Sequence, residues 1–167
     1  MTDHAKATVT IDANFDAIQN FAIGKTIDEI DKVAKGDGAV DAVSGATLVD
    51  TAGYLTAIAD AARAAKDSQA VEFTGNSDNL KLNVVYGAAH GTKCFTTAAA
   101  LTDGEKILLS YLDEFQFISS DAGVTGVPNS DADFKDGYAE GSALCSKRVN
   151  TDYYSKNMAD KRGSTVK

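Results

Sequence analysis

Residues 86–118 read YGAAHGTKCFTTAAALTDGEKILLSYLDEFQFI, and this stretch decides the fold class. Small residues over positions 93–101 predict one strand, and positions 106–118 predict its partner. Between them, residues 102–105 (TDGE) supply a hairpin turn, because Asp-Gly between two apolar runs is a strong hairpin signal. We therefore predict an antiparallel hairpin within a twisted sheet.

Other strands and helices are predicted on either side of this hairpin. Alternation around Leu82, Val84 and Tyr86 predicts a strand over residues 80–86, and the pattern of residues 7–12 predicts another. A short strand also fits residues 71–73 within a polar stretch.

Four segments are predicted to be helical from their caps and apolar spacing. Asn14 is placed to cap a first helix that closes at Gly24. Thr26 and Glu29 have the spacing of a capping box for a second. Residues 51–67 and 151–161 predict two more, which makes the chain an α+β protein with helices packed on a sheet.

Residues 41–47 read DAVSGAT and form the motif that bears most directly on function. Gly45 and Ala46 lie between the hydroxyls of Ser44 and Thr47, so backbone N–H groups can approach an oxyanion closely. Thr51 is predicted to cap the following helix, whose N-terminus favours an anion. The alternative is a tight glycine turn that leads into an ordinary capped helix.

The pattern Asp-x-x-Ser-Gly-Ala-Thr resembles the signature of the FMN-binding domain of sodium-pumping NADH:quinone oxidoreductases and related secreted electron-transfer proteins. Residues 86–118 resemble the glycine-containing turn and hairpin that open the same domain. The resemblance implies that FMN is held at residues of both regions and that His90 lies near the flavin ring. The implied cofactor-binding residues are Asp41, Ser44, Gly45, Ala46, Thr47, Thr51 and His90.

The chain departs from the covalent members of that family, whose motif continues as SGATxT with the last Thr carrying the flavin. Val49 stands at the acceptor position and has no hydroxyl. The resemblance therefore implies non-covalent FMN and a redox carrier that serves partner proteins. The alternative is a flavin-free structural or binding module of a surface or filament assembly.

The order of the matched segments is also unusual, because in the family the hairpin precedes the SGAT loop. We predict a single domain over residues 1–167, with the SGAT loop and helices in 1–67 and the hairpin half in 80–167. The order fits either a circular permutation or one register of a tandem array, and a homo-oligomer is an open alternative. Chain ends that lie close together make permutation tolerable.

Composition narrows the classes of partner. Acidic residues outnumber basic ones by 24 to 16, which gives a formal net charge of -8 and a pI near 4.6. This balance argues against nucleic acid or an anionic membrane. No stretch approaches the roughly 20 apolar residues of a membrane-spanning helix. Residues 1–9 lack a signal core, but the related domains are commonly exported, so we expect an extracytoplasmic or cell-surface location.

Residues for catalysis are scarce. The sequence has two histidines and no identifiable nucleophile with its base, so a carrier or binding module is favoured over a catalyst. No metal site is predicted: the calcium-loop spacing that begins at Asn129 has Phe134 where glycine is needed. Cys94 and Cys145 form a disulfide, remain two free thiols or have a metal or redox-catalytic role, and spacing does not decide among these alternatives.

Overall fold

The computed structural model describes residues 9–66, 78–130 and 140–163, and the chain divides into two compact units, Met1–Glu72 and Phe73–Lys167. Within the described residues there are five α-helices and one four-stranded antiparallel sheet, which confirms the predicted α+β class. The strand predicted over residues 71–73 lies outside the described ranges. Among the helices of these ranges, none is both long and apolar enough to cross a membrane.

The first unit is helical. Its elements are α1 (Ile11–Ala22), α2 (Ile27–Ala34), α3 (Ala39–Ala42) and α4 (Thr51–Ala64). One apolar side of these elements forms a common core, because residues three or four apart fall on the same face of a helix. The buried core residues are Ile18, Ile30, Val43, Leu55 and Ala59.

The capping box of α2 is confirmed. The Thr26 hydroxyl accepts a hydrogen bond from the Glu29 backbone N–H, while the Thr26 N–H donates to the Glu29 carboxylate at 2.8 Å. Hydrogen bonds from Thr26 hold the pKa of Glu29 below its usual value, and the bond from the Thr26 backbone is the largest cause. The start of α2 is therefore fixed by two residues of its own first turn.

The start of α1 differs from the prediction. Residues 11 and 12 belong to α1 rather than to a strand, and Asn14 lies inside the helix instead of capping it. Thr10 occupies the N-cap position in an extended conformation. The Asn14 side chain is buried and donates to the Thr10 carbonyl at 3.0 Å, so its polar group is used within the fold rather than at the helix end.

The second unit contains the sheet, with strand order β1-β2-β3-β4. The strands are β1 (Lys81–Gly87), β2 (Cys94–Thr102), β3 (Ile107–Ser119) and β4 (Ser142–Ser146), and each pairs antiparallel with the next. The predicted hairpin is β2–β3. β1 lies at one edge of the sheet, and all seven of its residues are exposed.

The hairpin turn forms where the Asp-Gly signal places it. The Asp103 carboxylate accepts the backbone N–H groups of Glu105 and Lys106 at 2.9 and 2.8 Å, and Gly104 has a φ of 99°. A positive φ at this position is a conformation that glycine adopts without steric cost. These bonds hold the pKa of Asp103 below its usual value, the bond from Lys106 being the largest cause.

The two faces of the sheet differ in their side chains. Helix α5 (Thr151–Arg162) contacts the face that carries Gln116, where the Tyr154 hydroxyl donates to the Gln116 side-chain oxygen at 3.3 Å. Phe95 and Phe115 are paired across β2 and β3 and stack with ring centroids 5.0 Å apart. Directly paired residues share a face, so these rings project from the face opposite to Gln116.

The segment between β3 and β4 packs back onto β4. The Val127 N–H donates to the Leu144 carbonyl at 2.7 Å, and the buried Asn150 side chain bonds both backbone groups of Thr125. Ser130 is buried, and its hydroxyl donates to the Leu144 carbonyl at 3.4 Å. Residues 125–130 are thus anchored on β4 and on Asn150, and residues 131–139 lie outside the described ranges.

Candidate functional site

The SGAT loop forms a bend at its glycine. Gly45 has a φ of 90°, and the Ala46 N–H donates to the Val43 carbonyl at 3.0 Å, which closes the turn. Ser44 and Gly45 are exposed, whereas Val43 is fully buried beneath them. The loop thus presents the Ser44 side chain to solvent, while a Cβ added at Gly45 would point toward α1, 3.4 Å from the Ala17 Cβ.

Asn14 of α1 holds the far side of this bend. Its side-chain oxygen accepts the Thr47 backbone N–H at 2.6 Å, and the Thr47 hydroxyl lies 3.4 Å from the same oxygen. Both donors of Thr47 are therefore directed at the protein interior. Asn14 is fully buried, so this contact fixes the loop against α1.

Thr51 does not have the structural role that the sequence predicted for it. Asp50 occupies the N-cap of α4 and makes no side-chain capping bond, while Thr51 is the first helical residue. The buried Thr51 hydroxyl donates to the Leu48 carbonyl at 2.6 Å. The sequence predicted Thr51 as a cap that accepts N–H bonds, and that was wrong: its side chain ties the loop to the helix.

Two carboxylates lie near the motif and oppose an anion. Asp50 is exposed at the N-terminus of α4, and Asp41 is exposed in α3. The Asp41 carboxylate lies beside Gly38, at the N-terminal end of α3. Ser44 and Gly45 are therefore the solvent-facing donors of the motif, and Thr47 and Thr51 hold its shape.

His90 belongs to the second unit, in the turn that precedes β2. Its side chain is 72% exposed, and its Nδ1 lies 3.7 Å from Oε2 of Glu114. The same Oε2 pairs with the Lys147 ammonium, and Oε1 accepts from the Thr96 hydroxyl at 3.5 Å. The bond from Lys147 is the largest cause holding the pKa of Glu114 below its usual value.

A cleft of about 620 Å³ opens beside His90. This volume lies within the range of small-molecule pockets. Burial is the main cause that raises the pKa of Tyr154 in its wall to about 12, so the phenol is a neutral donor at physiological pH. The cleft is lined by His90, Gln116, Lys147, Tyr153, Tyr154 and Met158, among others.

The two cysteines are free thiols. Both pair with Gln116, Cys94 from β2 and Cys145 from β4, so two strand spacings of about 4.8 Å separate their backbones. A disulfide needs Cα atoms within about 7 Å. The sheet register therefore answers the question that the sequence left open, in favour of two thiols.

Two features of these sites were missed at the level of sequence. Asn14 was interpreted as a helix cap, and the pairing of Glu114 with Lys147 was not predicted. Both contacts join residues 33 positions apart. The sequence places Glu114 beside Asp113 in the second hairpin strand, where alternate residues share a face, but it does not indicate Lys147 as a partner.

Comparison of the chain with protein-family models, with curated proteins and with solved structures finds no match.

Proposed function

We propose that the chain carries non-covalently bound FMN and passes electrons between redox partner proteins, with the SGAT loop as the contact for the phosphate. The observation that carries this proposal is the exposed bend at Ser44 and Gly45, just ahead of α4. The Ser44 hydroxyl and the exposed Gly45 backbone favour a phosphate group there, whereas the Asp50 carboxylate at the α4 N-terminus offsets the favourable helix dipole.

The buried clamp behind the bend supports this proposal. The Asn14 side-chain oxygen accepts the Thr47 N–H at 2.6 Å, a contact within the protein that needs no ligand, so the loop that carries Ser44 and Gly45 is held from behind. A loop that is ordered in advance costs less conformational entropy when it binds. The flavin would supply the redox chemistry, and the protein would supply binding and orientation.

Ser44→Ala tests the proposal directly, because the side chain is exposed and its loss leaves the packed base of the loop intact. FMN binding to the purified full-length chain is measured by flavin fluorescence, and riboflavin, which lacks the phosphate, is titrated alongside. Loss of one hydrogen bond to a charged group weakens FMN binding by about tenfold. Riboflavin binding is expected to stay unchanged.

Thr56→Ala is the matched control. Thr56 is exposed on α4, and its hydroxyl bonds only the Ala52 carbonyl of its own helix at 3.0 Å among the contacts found. FMN affinity is expected to be unchanged in this variant. Equal weakening of FMN and riboflavin by Ser44→Ala would argue against a phosphate contact at the loop.

A flavin-free structural or binding module is the second candidate. It is favoured by the inward direction of both Thr47 donors, which are used by Asn14 and so do not face a phosphate, and by Val49 at the acceptor position of the covalent family. If the purified protein is colourless and its melting temperature does not rise with added FMN, the flavin-free module is supported and the FMN carrier is ruled out. Light scattering after size-exclusion chromatography would then report whether the chain assembles with itself.

A further inference from the structure

Three different metal-ligating side chains converge in the second unit. The ligand atoms of His90, Cys94 and Glu114 all lie within 4.8 Å of one another, and the His90 Nδ1 to Glu114 Oε2 distance is 3.7 Å. Cys94 and Glu114 are half-buried, whereas His90 is exposed. From these distances and donor types we propose that the three residues bind a zinc ion.

The sheet register explains why two of the donors meet. Cys94 pairs with Gln116, and Thr96 pairs with Glu114, so Cys94 and Glu114 are diagonal neighbours on one face of the β2–β3 hairpin. His90 reaches them from the turn between β1 and β2, where Gly91 has a φ of 63°. Two strands and a turn thus each supply one donor.

The donor set is one that zinc prefers. An imidazole nitrogen, a thiolate and a carboxylate are its usual ligands, and bond lengths of about 2.0–2.3 Å place tetrahedral donors about 3.5 Å apart. The present cluster needs to contract by roughly 1 Å to reach that geometry. The pair of His90 and Glu114 already lies at 3.7 Å, so the contraction concerns mainly the approach of these two donors to Cys94, and the exposed His90 side chain has room for it.

Three protein ligands leave a fourth tetrahedral position for water or a small anion. His90 also lines the cleft of about 620 Å³ next to the cluster. The fourth position would therefore be accessible to a molecule in that cleft. The zinc site uses none of the SGAT residues on which the flavin proposal depends.

Lys147 is the competing partner for Glu114. Its ammonium pairs with Oε2, the oxygen nearest to His90, and it also lies 5.1 Å from the centre of the Tyr154 ring. A bound cation repels the ammonium, and the Tyr154 ring gives Lys147 a second favourable contact. Glu114 can thus exchange Lys147 for the metal while the Thr96 hydroxyl retains its other oxygen.

The test uses Co²⁺ as a spectroscopic probe on the 167-residue chain, which is first reduced and then freed of reductant by gel filtration without oxygen. We expect one Co²⁺ per chain, a near-ultraviolet thiolate-to-cobalt absorption band, and displacement of the cobalt by Zn²⁺. Cys94→Ala should abolish the band. Cys145→Ala is the control and should keep it, since Cys145 is buried in β4 and outside the cluster.

His90→Ala gives a second test at an exposed residue, where folding is not at risk. Loss of this ligand should weaken Co²⁺ binding by about tenfold or more, and His4→Ala, at the other histidine of the sequence, should leave it unchanged. Absence of the thiolate band from the unmodified chain would overturn the proposal. So would a band that survives Cys94→Ala, or equal effects of the two histidine substitutions.

Discussion

The side-chain oxygen of Asn14 accepts the backbone N–H of Thr47 at 2.6 Å, and it does so from a fully buried position inside α1. One amide therefore joins the first helix to the SGAT loop across 33 positions of sequence. The shape of the loop depends on a residue that lies outside the motif.

Asn14→Ala is expected to lower the free energy of unfolding by about 2 kcal/mol, because the Thr47 N–H loses its partner. Urea denaturation followed by circular dichroism measures this loss. Asn20→Ala is the control on the same helix: Asn20 is exposed, and a change within about 0.5 kcal/mol is expected. Equal losses in the two variants would show that the Asn14 contact does not stabilise the fold.

Gly126→Ala is expected to destabilise the second unit. A Cβ at this position would lie 2.5 Å from the Ser130 hydroxyl oxygen and 2.9 Å from the Ala143 Cβ, and both neighbours are buried. Overpacking of this kind costs about 1–3 kcal/mol, which a thermal or urea melt resolves.

Gly53→Ala provides the opposite case for comparison. Gly53 lies within α4, and apart from its own helix backbone no atom of the described residues lies within 4 Å of an added Cβ. Alanine is favoured over glycine in a helix by about 1 kcal/mol, so this variant should be more stable than the parent chain. A stabilising effect at Gly126 would contradict the packing described for that segment.

Ser146→Ala removes a buried bond between neighbouring strands. The Ser146 hydroxyl donates to Oδ2 of Asp113 at 2.5 Å, and both residues are buried. A hydrogen bond to a carboxylate contributes about 1.5–3 kcal/mol, and the unfolding free energy should fall by that amount. Ser110→Ala, at an exposed serine of β3, should change it by less than about 0.5 kcal/mol.

The Asp31 carboxyl should titrate below its usual range. Hydrogen bonds from Lys35, the larger cause, and from Arg63 lower the pKa of Asp31. Its folded pKa thus lies below its unfolded value, so its stabilisation is fully present above the unfolded pKa of about 3.9 and is lost as the pH falls through the folded pKa. Carboxyl NMR measures this titration.

Lys35→Met should raise the pKa of Asp31, because Lys35 pairs with this carboxylate at 2.8 Å. Lys32→Met removes a charge from the same helix at an exposed position and should have a smaller effect. If the two variants shift the Asp31 titration equally, the effect comes from net charge and not from the Lys35 contact.

Short sequence patterns predicted most of the secondary-structure elements. The hairpin strands expected at 93–101 and 106–118 are found as Cys94–Thr102 and Ile107–Ser119, and the capping box at Thr26 is present. The final helix, expected at 151–161, is found as Thr151–Arg162. Turn residues, caps and alternation act over a few positions, so the sequence displays them directly.

Long-range partners were not predictable in the same way. Asparagine is a common N-cap residue, so the sequence favoured a cap at Asn14. Only the fold shows that its amide is buried against Thr47. Cys94 and Glu114 are 20 positions apart and meet because the β2–β3 register brings them to one face. The SGAT bend was predicted from its glycine, but the direction of the Thr47 donors depends on tertiary packing.

The seven residues of β1 lie at the sheet margin and are all open to solvent. Lys81 is the one charged residue among them, at the first position, and residues 82–86 offer uncharged, largely apolar side chains to an approaching backbone. An exposed edge strand of this kind can pair with a strand of another molecule unless a charged residue or a proline interrupts it. We therefore expect the protein to aggregate at high concentration through pairing of β1 between molecules. Val84→Lys should suppress this aggregation.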